Sequence, residues 1–157
     1  MRATITVLAV VAAVLSLSAL ASAAASKGTY SYRATLTAGQ EVPKPTGVKR
    51  TAGGTFSATA KDTAGGASLR WTLTFRNLTG KAVAAHIHMG AKGQAGNVLV
   101  ALCAAPAKPC KTGMTGRATV SKDVADALER GAAYVNVHTA KNGGGEIRGQ
   151  IRLVGHT

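Results

Sequence analysis

His86 and His88 stand two residues apart in the stretch AAHIHMG, and His138 closes the Val-rich run AYVNVHT. The chain holds four histidines, so three of them lie in two short β-like runs. Residues i and i+2 of a strand share a face. An H-x-H strand can therefore present two neutral imidazoles to one Zn²⁺ or Cu²⁺ ion, and His138 could supply a third. The competing reading is structural, with each ring hydrogen-bonding a nearby backbone group or a carboxylate, Glu41 or Glu146, to fix a loop. Pattern alone favours this second reading. Three rings can share an ion only if their two strands lie together in the sheet. No catalytic residue stands out: there is no Ser-His-Asp set, paired-carboxylate cleft or cofactor loop. The six acidic residues leave few options for acid–base chemistry.

The elements that must position these residues read as strands. Gly, Thr, Ser and Val recur in short runs broken by Gly, Pro or Asn, which is strand-and-turn punctuation. In SLRWTLTFRN, Leu69, Trp71, Leu73 and Phe75 alternate with Arg70, Thr72, Thr74 and Arg76, as a half-buried antiparallel strand requires. Further strands are expected in YSYRATLT, GTFSATAK, AVAAHIHM, NVLVAL, GRATV, AYVNVHT and EIRGQIRLV. SKDVADALERG differs, with Ser121 as an N-cap, Asp123 in the first turn, Val124, Ala127 and Leu128 at helical spacing and Gly131 as a stop. The expectation is an all-β fold, a Greek-key β-sandwich or flattened barrel of about eight short strands with one short helix. The glycines of GAKGQAGNV lead into a strand, not a helix, so they predict a loop with positive φ rather than a phosphate site. By parity Ile87, Val135, Val137, Ile147, Ile151 and Leu153 take the core. His86, His88, Tyr134, Asn136, His138, Arg148, Gln150 and Arg152 then fall on a face expected to meet solvent.

Residues 1–25 have the form of a secretory signal peptide: Arg2, an apolar run from about Ile5 to Leu20, then small residues, with cleavage expected after Ala23 or Ala25. This predicts a secreted or periplasmic protein with no transmembrane span after cleavage, and residues 26–157 as one domain. Lys and Arg number 19 against six acidic residues; without Arg2 the net charge is near +12. The bases are scattered singly and only six aromatic residues are present, which speaks against nucleic acid. Weak attachment to an anionic envelope surface is the functional alternative to a merely solvated surface. Cys103 and Cys110 in CAAPAKPC predict a local disulfide in an oxidising compartment, with a modest effect of about 2 kcal/mol.

LTAGQEVP (36–43), AAHIHMG (84–90), GAAYVNVHT (131–139) and GGEIRGQI (144–151), in this order, resemble the CHRD domain, the module named after chordin and found singly in exported bacterial proteins. The resemblance runs from about Tyr30 to Leu153 and implies an extracytoplasmic β-domain acting as a binding or structural module, with an unknown protein or envelope component as partner. It implies no catalytic residues; Glu41, Glu146 and Arg148 fall in its motifs. A fainter resemblance is to copper/zinc superoxide dismutases, through His86-Ile87-His88, then Val137-His138, then Arg148 as an anion-attracting neighbour. It implies a copper site on His86, His88 and His138 and, if the protein is an enzyme, a copper-dependent redox activity such as superoxide dismutation. The bridging histidine and the zinc ligands of that family have no counterpart in this sequence. The structural role predicts Arg148 against the carboxylate of Glu41, whereas the metal role predicts a free guanidinium beside clustered imidazoles.

Overall fold

The computed structural model describes residues 28–157, so the predicted signal peptide lies outside the described residues. Nine strands follow in order: β1 (Thr29–Thr37), β2 (Gly53–Thr63), β3 (Gly66–Arg76), β4 (Ala82–Met89), β5 (Val98–Ala104), β6 (Met114–Ser121), β7 (Ala133–Thr139), β8 (Ile147–Gln150) and β9 (Arg152–His156). One helix, α1 (Lys122–Glu129), precedes β7. All pairings are antiparallel, in the spatial order β5-β4-β7-β8-β1-β2-β3-β6, with β9 on β1. After the β4–β5 hairpin the chain returns to β3 through β6, and then to β4 through β7. The result is a flattened, nearly closed barrel, which is one of the two expected architectures.

Strict alternation explains the elements. In β3 the buried Leu69, Trp71 and Leu73 join Phe56 of β2, Tyr32 and Leu36 of β1, and Ile87, Val135, Val137 and Ile147 from the other side in one core. Among the described residues no helix is long and apolar enough to cross a membrane. α1 covers one end of the core with Ala125, Ala127 and Leu128. Ser121 occupies its N-cap position without making a side-chain cap bond, and Gly131 stops it at φ 66°. Cys103 and Cys110 are bonded, with their Cα atoms 5.3 Å apart, and close the end of β5 onto the connection to β6.

One expected strand divides. EIRGQIRLV breaks at Ile151, whose N–H donates to the Ala133 carbonyl while its side chain enters the core. β8 thus pairs with both β7 and β1, whereas β9 pairs with β1 alone. Leu153, expected inside, is 40% exposed because β9 continues past the layer that β7 provides.

Gly116 of β6 lies directly opposite Trp71, and the indole occupies the space that a side chain would take: a Cβ there would lie 2.3 Å from Trp71 Cζ2. Gly116→Ala should lower the unfolding free energy by about 1–3 kcal/mol, the usual cost of overpacking. Denaturant titration followed by the emission of Trp71, the single tryptophan, measures this. An unchanged midpoint and spectrum would show that the ring does not depend on that glycine.

Candidate metal centre

The registers of β4, β7 and β8 set polar residues in rows. His86 faces Asn136, which faces Arg148; His88 faces Tyr134, which faces Gln150; His138 faces Ala84. Directly opposed residues share a face. The intervening rows, Ile87–Val135–Gly149 and Ala85–Val137–Ile147, point into the core. The expected parity is therefore observed, but the expected solvent is not. His88 is 9% exposed, His138 8% and Arg148 2%. Three connections lie over this face and satisfy part of it. Gly96 and Ala91 between β4 and β5 accept bonds from His88 Nδ1 and Arg148 Nη2, both at 2.9 Å. Gly143 between β7 and β8 accepts from His138 Nδ1 at 2.9 Å. Glu41, which follows the turn at Ala38–Gln40, accepts from Asn136 Nδ2 at 3.1 Å.

The three histidines converge. One ring nitrogen from each lies within 4.8 Å of the others, and His86 Nδ1 is 3.1 Å from His138 Nε2. Two rings are fixed through Nδ1 to backbone carbonyls, which makes Nδ1 the protonated nitrogen and leaves the Nε2 lone pair available. His88 Nε2 is buried and has no hydrogen-bond partner. Burial, with His138 and His88 nearby, pushes the His86 imidazole down to about 4. Burial also lowers His138, with its Gly143 bond working the other way and the His88 ring adding to the lowering. Both rings are neutral at pH 7, the form that binds metal.

Arg148 and Glu41 do not form the expected pair. The only ion pairs among the described residues join Asp126 to Lys122 and Arg130 on α1. The Arg148 guanidinium lies over Tyr134, its Cζ 3.4 Å from the ring centroid, and Tyr134 in turn stacks on His88 at 5.0 Å. Arg148 Nη1 and Glu41 Oε1 both remain without partners. Burial raises Glu41 to about 7 against the lowering influence of nearby Arg148. Gly145, at φ 135°, lets the β7–β8 connection close over this pair, since a Cβ there would lie 2.4 Å from Asn136 Nδ2 and 2.6 Å from Glu41 Oε1.

Glu146, the other motif carboxylate, does not meet the histidines. It binds the Thr79 amide and hydroxyl, the Thr139 hydroxyl and Asn142 Nδ2. Burial alone would raise it, but these bonds outweigh burial and hold it below the ordinary carboxylate range. Sequence reasoning assigned no role to Thr79, Thr139, Asn142 or Gly143. The only signal for them was the Asn-Gly run after His138, which reads simply as a turn.

These features define an all-β domain whose sheet carries a polar, loop-covered face with three convergent imidazoles. The CHRD domain family model matches residues 32–151, and the chain belongs to that family. Comparison with curated proteins and with solved structures gave no match.

Glu41 and His86 act oppositely on stability in mild acid. Glu41 has a raised folded pKa, so its contribution is fully present below about 4.5 and lost as pH rises through about 7. His86 has a lowered one, so its contribution is present above about 6.5 and lost as pH falls towards about 4. In chelator-treated protein, Glu41→Gln should remove a term on the order of 3 kcal/mol across this window, making the acid side relatively less stable. Unfolding curves at a series of pH values measure the difference. A constant offset between variant and parent would show that Glu41 is ionised throughout.

Proposed function

We propose that this CHRD domain is an exported metal-binding module that holds one Cu²⁺ ion on His86, His88 and His138. The observation that carries the reading is the convergence of the three imidazoles, with His88 Nε2 buried and unpartnered among them. Ligands about 2.0–2.1 Å from one ion place their nitrogens roughly 3–4 Å apart. His86 Nδ1 and His138 Nε2, at 3.1 Å, already meet this, and an ion would draw the wider separations, up to 4.8 Å, inward by about an ångström. The Nδ1 bonds of His88 and His138 to Gly96 and Gly143 hold the ligating lone pairs in place.

The donor set favours copper. Both cysteines are in the disulfide, Glu146 is fully engaged elsewhere and Glu41 is not part of the cluster of converging ligand atoms, so imidazole alone is offered. Such a set binds Cu²⁺ more tightly than Zn²⁺. Export is supported by the N-terminal sequence and by the disulfide, which persists in an oxidising compartment.

A second reading, a binding or structural module without metal, is favoured by one contact. His86 Nδ1 and His138 Nε2 at 3.1 Å can share a proton as an ordinary hydrogen bond between neutral rings. That reading leaves the buried His88 Nε2 without a role.

Titration with Cu²⁺ at neutral pH separates the two. The copper reading expects one ion per chain, loss of binding in each of His86→Ala, His88→Ala and His138→Ala, and a rise in unfolding free energy of about 2.7 kcal/mol at a free-ion concentration about 100 times Kd. Equal weak binding by parent and variants would leave the structural module as the function. Tighter binding of Zn²⁺ than of Cu²⁺ under the same conditions would reassign the metal.

A further inference from the structure

The outer face of the barrel opposite the imidazoles carries a different chemistry. The registers of β9, β1, β2, β3 and β6 bring Arg152, Arg33, Ser57, Thr72 and Thr115 into one row, and Ser31, Thr59, Arg70 and Arg117 into the next. Arg33 is directly opposite Arg152, and Arg70 is directly opposite Arg117. All four arginines are exposed. Like charges directly opposed across a ladder destabilise a sheet. No ion pair neutralises them: the ion pairs among the described residues join Asp126 to Lys122 and Arg130. A depression of about 570 Å³ is sunk in this face, with Arg33, Arg70, Arg117, Ser57, Thr59 and Thr72 among the residues around it.

We infer that this face binds a linear anionic polysaccharide. Arginine forks receive carboxylate or sulfate groups in a bidentate manner, and the serine and threonine hydroxyls between them are donors and acceptors for sugar hydroxyls. At about 4.8 Å between strands, five strands give a strip about 19 Å wide, long enough to take several sugar units. The surface excludes other polyanions on two grounds. It has no aromatic side chain on which a base could stack: Trp71 is 3% exposed, and Tyr30 is stacked on His156. Of the apolar residues around the depression, Tyr32, Ala58 and Trp71 are buried and Val154 alone stands out at 56% exposed, too small an area to enter a bilayer. The paired arginines are thus a stability cost that a bound polyanion would relieve.

Binding of the full chain to heparin and to polygalacturonate, followed by calorimetry at several salt concentrations, tests this. Single-stranded DNA and equimolar phosphatidylglycerol–phosphatidylcholine vesicles serve as competing polyanions. Arg70→Thr/Arg117→Thr is the central variant, because threonine suits a strand and matches its neighbours. It should weaken binding to at least one glycan by about tenfold or more and unfold at an equal or higher temperature than the parent. Lys81→Gln/Lys111→Gln removes the same charge elsewhere and should stay within about twofold of the parent. The inference fails if this control loses as much affinity as the arginine variant, if DNA or vesicles bind as tightly as the glycans, or if neither glycan binds. A lower unfolding temperature for the arginine variant would mean that the arginines serve the fold, which also overturns it.

Discussion

β7 is buried along its whole length, from Ala133 to Thr139, on both sides of the sheet. A strand in that position can be apolar throughout, or its second face can be polar if every group there finds a partner, because an unpaired polar atom in dry surroundings costs about 1–3 kcal/mol. This chain takes the second course with five side-chain atoms left unpartnered. Val135 and Val137 point into the core, while Tyr134, Asn136 and His138 meet the loops. The neighbouring strands follow the same division, and the three connections that cover the face exist in their present form to receive its donors. Gln150 shows how dense this accounting is, since its Nε2 reaches the carbonyls of Gly90, Gly131 and Ala133. The atoms left over, on His88, Glu41, Asn136, Arg148 and Gln150, all belong to this one face.

Much of this was legible in the sequence. Period-two alternation in SLRWTLTFRN and in the histidine strands places each side chain on the correct side of the sheet, and the helix at Lys122–Glu129 follows from its spacing and from the glycine that ends it. What alternation does not carry is the identity of the medium on the second face. Histidine, asparagine, arginine and glutamine look like solvent-facing residues whether they meet water or a loop backbone, because both satisfy the same hydrogen bonds. The neighbourhood of β4 and β7 was equally hidden, since strand order depends on packing between segments about 50 residues apart, as the His86–His138 contact is. The break at Ile151 left no mark either, because one apolar residue continues the alternation on paper while the backbone leaves β7 and stays with β1 alone.

The two faces divide the electrostatics of the molecule. Around the imidazoles, the Arg148 guanidinium and the Glu41 carboxyl form no ion pair, burial favours the neutral form of Glu41, and His86 and His138 are held neutral. The excess of positive charge is displaced to the exterior, where Arg33, Arg70, Arg117 and Arg152 stand in opposed pairs. The attraction for anions that such charge exerts is therefore concentrated on the outer surface, away from the donor atoms of the covered face.

The roof over the histidines is tied down by bonds that span most of the domain. Asn136 meets Glu41 across 95 residues of sequence, and the Thr46 amide meets Asn142 Oδ1 across 96. Contacts so distant along the chain close late, because a long loop must lose its freedom before the bond repays it. The β1–β2–β3 meander can assemble from local hairpins, but the imidazole cluster cannot acquire its cover until the segment from β7 to β8 has arrived. A chain interrupted before residue 142 has its H-x-H strand and the segments that carry Glu41 and Gly96, but lacks Gly143, the anchor for the third ring. The convergence of the three imidazoles under their cover is in this way a feature of the completed domain alone.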